Sequence, residues 1–228
     1  MAVRFDAAND AYSRAAVHAT GSAVSIILWV YFVSNTGAET DLAIIGAGGA
    51  GDGGAVWLSN MPSGTTYRAF NADGSASIGA QVVATGTWYR MAVTRSGTAA
   101  AFYSGPEAGA LTAASGTLSR AAADTLTLGS YYGINSNLNG RMAAVKVYNA
   151  QLTAAEVEVE TRQYVPARTA NIFGWYPWLG PDTTDYSGVG NNLTAGAGTP
   201  TVEDGPPIPW IRNGPPQPKT PRRRAANY

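Results

Sequence analysis

Ala23-Val-Ser-Ile-Ile-Leu-Trp-Val-Tyr-Phe-Val33 is apolar on both of its alternating sets of positions. In a strand, Ile27, Trp29 and Tyr31 face one way and Ile26, Leu28, Val30 and Phe32 the other. A strand covered on both faces is central in its sheet or backs a second layer. Its apolar heart, Ile26 to Val33, is far shorter than the roughly 20 residues needed to span a bilayer. Trp88-Tyr-Arg-Met-Ala-Val-Thr-Arg95 alternates more cleanly, with Tyr89, Met91 and Val93 on the core side.

Working outward from these two, short strand-like runs recur between Gly, Asn, Asp, Ser and Pro. They are expected near Val3–Phe5, Leu42–Ile45, Ala55–Leu58, Thr66–Phe70, Ser77–Val83, Ala100–Tyr103, Thr125–Gly129, Met142–Tyr148 and Ile172–Trp178. Gly53-Gly54, Asp73-Gly74 and Asn139-Gly140 supply tight turns. One helix is expected over Thr153–Tyr164, where Thr153 caps and Glu156 completes a capping box. Short strands without long intervening helices predict an all-β, two-sheet antiparallel jelly-roll sandwich. The domain is expected to occupy residues 1–204. After Asp204, Gly-Pro-Pro-Ile-Pro-Trp210 and Gly214-Pro-Pro-Gln-Pro-Lys-Thr-Pro-Arg-Arg-Arg224 cannot pair in a sheet interior. Residues 205–228 read as an extended, polyproline-like arm with a basic end.

Composition narrows the chemistry. The 228 residues include 27 glycines and 13 prolines, as many short strands and turns require, and charged residues are only 13%. Formal net charge is zero, so no global field steers the chain onto nucleic acid or anionic lipid. With no cysteine, disulfide frameworks and thiolate chemistry are excluded. Met1-Ala-Val-Arg-Phe-Asp leads straight into the first expected strand rather than into a secretory leader. The expectation is synthesis and folding in a cytoplasm, with release by lysis for any role outside a cell.

Several of these segments together resemble a family. Ile26-Ile-Leu-Trp-Val30, Trp88-Tyr-Arg-Met-Ala-Val-Thr94, Ala101-Phe-Tyr-Ser-Gly105 and Thr125-Leu-Thr-Leu-Gly129 are similar to successive strands of laminin G-like domains. Those domains belong to the concanavalin A-like lectin/glucanase superfamily. The run Leu138-Asn-Gly-Arg-Met-Ala-Ala-Val-Lys-Val-Tyr-Asn-Ala-Gln-Leu-Thr-Ala-Ala-Glu156 carries the most specific likeness. Gly174-Trp-Tyr-Pro-Trp-Leu179 with Asp185-Tyr-Ser-Gly-Val-Gly-Asn-Asn-Leu-Thr194 resembles a strand and Gly-Asn loop of bacterial and phage members. The resemblance covers residues 1 to about 200 and implies two antiparallel sheets packed face to face. It does not imply one function, because the fold hosts lectins, hydrolases, adhesion modules and coat components.

Catalysis of the superfamily's glucanase kind needs a carboxylate pair on one strand face. The acidic cluster Glu156-Val-Glu-Val-Glu160 falls on the expected helix instead, as a solvated face, and His18 is the sole histidine. No enzyme is expected. Gly46, Gly48 and Gly51 match a dinucleotide fingerprint, but strand-like Ala55-Val-Trp-Leu58 follows where a helix must begin, so a hairpin loop is expected. No cofactor is expected, although Asp6, Asp10, Asp41, Asp52, Asp73 and Asp124 are loop candidates for calcium. Trp57, Tyr67, Trp88, Tyr131 and Tyr132 are the candidate platforms for a glycan, set against the core-filling role of most sandwich aromatics. Ala143-Ala144 stands where relatives often carry an acidic pair, removing polar groups a sugar or cation would use. Asn192-Leu-Thr194 forms a glycosylation sequon and reads as a loop.

The arm points to assembly. A Pro-rich tail without its own core is held only by a partner, with Trp210 and Tyr228 as anchors and Arg222, Arg223 and Arg224 meeting carboxylates. The favoured expectation is a structural subunit of a virion surface, a capsid decoration or tail-associated protein, partnered through the arm with itself or other virion subunits. The alternative is a lectin-like module attaching a particle or cell to a polysaccharide.

Overall fold

The computed structural model describes residues 1–6, 10–15, 23–34, 40–46, 56–60, 64–70, 76–118, 125–130, 137–178, 182–198 and 200–208. In chain order the elements begin with β1 (Ala2–Phe5), β2 (Tyr12–Arg14), β3 (Val24–Phe32), β4 (Asp41–Gly46), β5 (Val56–Ser59), β6 (Thr66–Phe70) and β7 (Ser77–Val82). Next come β8 (Trp88–Ser96), β9 (Ala99–Pro106), β10 (Thr112–Thr117), β11 (Thr125–Leu128) and β12 (Gly140–Tyr148). Helix α1 (Ala154–Glu160), β13 (Ile172–Tyr176), β14 (Thr194–Ala195) and β15 (Thr201–Glu203) complete the set.

One sheet runs β10-β9-β8-β3-β12-β1-β15, with β13 also paired to β12; the other runs β14-β2-β11-β4-β5-β6-β7. Every pairing among the described strands is antiparallel, including β4 with β5, so the glycine-rich stretch leads from one strand to another and not from a strand to a helix. Strand β3 sits between β8 and β12, the central place its two apolar faces predicted. Val24, Ile26, Leu28, Val30 and Phe32 enter the core between the sheets with Tyr89, Met91 and Val93 of β8. Ile27 and Trp29, on the other face, pack in two satellite clusters under α1 and the segment that follows it.

The helix is shorter than expected, ending at Glu160 with Thr161 as C-cap, while its start is as expected. The Thr153 side chain accepts from the Glu156 N–H, and the Glu156 carboxylate accepts from the Thr153 N–H at 2.8 Å. Two orphan donors of the first turn are thereby satisfied.

Strand β12 carries a bulge between Ala143 and Lys146, with Ala144 at φ +50°. A bulge resets the two-residue alternation of side chains. Met142, Val145 and Val147 therefore enter the inter-sheet core, while Lys146 shares the helix side with its register partner Ile27. The Ala143-Ala144 pair is thus buried beneath Trp29 and Tyr164, where it shapes the strand.

Chain beyond Asp204 still packs. Pro206 is buried, its carbonyl accepts from the Tyr164 hydroxyl at 3.4 Å, and Ile208 rests on the cluster around Trp29. The body therefore reaches past the compositional boundary at Asp204, because aliphatic Pro and Ile side chains can cover a sheet face without pairing in it. Among the described residues, no helix is long and apolar enough to cross a membrane.

Candidate functional site

Asp185 organises the one described loop that offers aromatic rings to solvent. Its Oδ1 accepts from the Trp175 N–H (3.0 Å) and the Ser187 N–H (2.8 Å). Oδ2 accepts from the Ser187 hydroxyl (2.8 Å), the Gly190 N–H (3.1 Å) and the Asn191 N–H (2.9 Å). Gly188 and Gly190 have φ of +86° and +88°, which lets the backbone curl round one carboxylate. Burial pushes the Asp185 carboxyl up, but the donated hydrogen bonds, that of Trp175 foremost, outweigh it and hold it below its ordinary range.

The loop is also stitched to β13. Asn191 Nδ2 donates to the Phe173 carbonyl and the Tyr176 hydroxyl donates to the Asn191 carbonyl, each at 2.7 Å. The Tyr186 N–H donates to the Trp175 carbonyl at 2.9 Å, and Leu193 returns to the core. Asn192 of the sequon spends its side-chain oxygen on the Asp185 N–H.

On this frame Tyr186 is 42% exposed and Val189 57%. The Tyr186 ring meets half-buried Trp175 edge-on, with centroids 6.1 Å apart and planes at 68°. Its hydroxyl donates to Asp182 Oδ2 at 2.8 Å, and that carboxylate raises the phenol above its ordinary value. Asp182 Oδ1 is buried and accepts no hydrogen bond. An exposed ring whose hydroxyl is held in place by a carboxylate is what a sugar uses, its C–H face on the ring and one of its hydroxyls donating to the Tyr186 oxygen.

The aromatics singled out by sequence lie elsewhere. Tyr67 is buried between the sheets against Phe32, centroids 4.8 Å apart, and burial raises its phenol. Trp88 is buried on the helix side of the other sheet, 6.5 Å from Trp29 and 5.4 Å from Tyr31. Neither ring presents a face to solvent, because sandwich aromatics are large enough to be worth most as core. The backbone of Trp57 lies in β5 opposite Ile44 and Phe70. Its side chain lies outside the description, as do His18, Tyr131, Tyr132, Trp210, Arg222, Arg223, Arg224 and Tyr228. Sequence patterns alone do not single out Trp175, Tyr186 and Asp182, although the first two lie in the Gly-Asn signature. A tyrosine bracketed by Asp185 and Ser-Gly-Val-Gly in a turn-rich loop was the available signal.

The acidic cluster requires a correction. Glu156 caps the helix and pairs with Arg168, and Glu158 pairs with Arg162. Glu160, expected on a solvated face, is 1% exposed and bonded to fully buried Lys146. Among the calcium candidates, Asp6 donates its N–H to Asp10 Oδ2 at 2.9 Å and pairs with Arg4 at 3.5 Å. Asp41 is buried, and Asp52, Asp73 and Asp124 lie outside the description. Among the described residues, no three acidic or histidine side chains gather as a metal site.

A laminin G-type family model, described as the concanavalin A-like lectin/glucanases superfamily, matches residues 6–158. No curated protein matches the sequence. A candidate carbohydrate-binding protein from Bacteroides ovatus superposes with a TM-score of 0.62 at 14% identity, covering 92% of this chain and 61% of that one. The enzymatically active domain of tailspike protein 2 from bacteriophage CBA120 gives 0.57 at 14% identity, over 76% and 29%. A heptameric SAP-like pentraxin from Limulus polyphemus gives 0.51 at 13% identity, over 86% and 94%. At such identities the likeness is one of fold, and this chain spans only 61% of the Bacteroides protein and 29% of the tailspike.

Proposed function

This chain belongs to the concanavalin A-like lectin/glucanases superfamily, and we propose that it is a non-catalytic, lectin-like module that contacts polysaccharide through the loop built on Asp185. The observation that carries this reading is the exposed Tyr186 ring against Trp175, with its hydroxyl fixed by Asp182 Oδ2. The non-catalytic part is supported by Glu156, Glu158 and Glu160, each committed to a basic partner. The candidate carbohydrate-binding protein of Bacteroides ovatus, sharing the fold, is consistent with it. The test is a glycan screen of the wild-type chain, with Tyr186→Ala and Trp175→Ala beside it. Each substitution should weaken any hit about tenfold, an effect of one stacking contact, with the melting temperature little changed for Tyr186→Ala. Hits that survive both substitutions at full strength, or no hits at all, would sink the loop as a sugar site.

A second reading, assembly on a virion surface as a capsid decoration or tail-associated subunit, draws support from the root of the arm. Strand β15 pairs with β1, and Pro206 and Ile208 are fastened to the sheet. A basic, Pro-rich segment therefore departs from a fixed point, suited to reaching a neighbouring subunit. The cut that tests this falls after Ile208, since stopping at Asp204 would uncover the cluster around Trp29. Light scattering should find the full chain oligomeric and the chain ending at Ile208 monomeric. Equal masses would remove self-assembly through the arm.

A further inference from the structure

On the face of the larger sheet opposite the inter-sheet core, a cavity of ≈ 230 Å³ is lined by Trp29, Arg90, Glu107, Arg162 and the arm-root residues Pro207 and Ile208, with Ala108 at its rim. Arg90 is its unusual member. It lies in β8 directly opposite Trp29 of β3, and its side chain is only 1% exposed. Nη2 donates to the Gly109 carbonyl, and Nη1 reaches Glu158 Oε1 only as an ion pair at 3.6 Å. Nε and Nη1 have no hydrogen-bond acceptor within the protein. The indole N–H of Trp29 is already spent on the Thr161 carbonyl at 2.7 Å, so the guanidinium is the buried donor left over.

A guanidinium cannot shed its charge to escape this position, and a buried charged donor without an acceptor is costly. An oxyanion in the cavity would offset that cost with charge-assisted hydrogen bonds. The cavity is smaller than the 300–1,000 Å³ usual for whole ligands, which suits one small group at the end of a larger molecule. Glu107 lines the same space and Glu158 already meets both Arg90 and Arg162, so a singly charged group is favoured over a dianion. Trp29, Pro207 and Ile208 give the carbon skeleton of such a group an apolar wall.

We propose that this cavity is a carboxylate-binding site, taking a free small carboxylate or the carboxylated terminal unit of an acidic glycan. It shares no residue with the Asp185 loop, so its failure leaves the loop reading untouched, and the reverse holds.

The experiment titrates the full chain with glucuronate, acetate and glucose by calorimetry, and with inorganic sulfate as the dianion control. Glucuronate should bind, glucose should not, and sulfate should bind at least tenfold more weakly than glucuronate. Acetate matching glucuronate would mark the carboxylate alone as the feature read, while glucuronate tighter than acetate would mark an acidic sugar. Arg90→Met should reduce glucuronate affinity at least tenfold. Because Arg90 is buried and its loss can unfold the chain, Ala108→Phe serves as the second variant. It narrows the cavity from an exposed position and should cause a similar loss with the melting temperature unchanged. Glucose binding as well as glucuronate, silence from every carboxylate at millimolar concentration, or undiminished binding in a folded Ala108→Phe protein would each overturn the site.

Discussion

Replacing Lys146 by methionine is expected to lower the unfolding free energy by about 3–5 kcal/mol, the usual cost of removing one partner of a buried ion pair. The Lys146 ammonium is fully buried and donates to Glu160 Oε2 at 2.8 Å. It also reaches the carbonyls of Glu160 (2.7 Å), Gln163 (2.8 Å) and Val165 (3.4 Å). The other Glu160 oxygen accepts from the Arg168 N–H at 2.7 Å. One lysine on a sheet strand thus closes the end of α1 and the chain that follows it. Burial pushes the ammonium below its ordinary value, and the facing Glu160 carboxylate opposes that only in part. Methionine fills similar volume but leaves a buried carboxylate and three carbonyl oxygens without their donor. For a chain of this size the loss corresponds to roughly 6–20 °C in melting temperature. Adding Glu160→Gln removes the stranded charge, so the double variant should be at least about 1 kcal/mol more stable than the sum of the single losses predicts. Urea unfolding of the four proteins gives the comparison. A Lys146→Met protein within about 1 kcal/mol of wild type would show that the pair does not hold the helix.

Asp185→Ala should cost roughly 2–4 kcal/mol, with the damage centred on the loop that presents Tyr186. Four backbone N–H groups and the Ser187 hydroxyl lose their shared acceptor at once. Hydrogen exchange at Ser187, Gly190 and Asn191 should accelerate more than exchange in β3. Acid should reproduce the effect. The folded-state pKa of Asp185 is depressed, so its contribution is fully present above the unfolded carboxyl value and is lost as pH falls through the folded one. Wild-type stability measured against Asp185→Asn should therefore converge below about pH 4, starting from the ordinary carboxyl value of 3.8. A gap between the two proteins that stays constant down to pH 2 would assign acid sensitivity elsewhere.

Much of the fold was legible because the strongest strands bury side chains on a strict alternation. The two faces of Ala23–Val33 and the inward set Tyr89, Met91 and Val93 lie where that alternation puts them. Strands β2, β10, β14 and β15 were not foreseen. Thr112-Ala-Ala-Ser-Gly-Thr117 carries almost no side-chain signal, because it pairs along β9 through backbone hydrogen bonds and remains mostly exposed. The buried role of Glu160 was hidden for a different reason. Its partner is supplied by a strand, and the bulge at Ala144 decides which face that lysine takes. A lone lysine within Ala143-Ala-Val-Lys-Val-Tyr148 was the trace left in the sequence. The chemistry of Tyr67 and Trp88 suits a glycan platform, whereas their accessibility is set by what packs over them. For Trp88 the cover includes Trp29 and Tyr31, whose placement no local pattern encodes.

The pairing of β1 with β15 has a mechanical consequence. Ala2 stands opposite Glu203, Val3 opposite Val202 and Arg4 opposite Thr201, so both flanks of the body leave the ladder at the same end. Tension applied between those flanks would load one rung at a time and peel β15 from β1, whereas strands pulled from opposite ends share the load in shear. Arg141 with Glu203 at 2.5 Å, and Tyr164 under Pro206, are the first fasteners that load would meet. Under force this edge would act as a low-threshold release, letting out slack before the two-sheet core carries any strain.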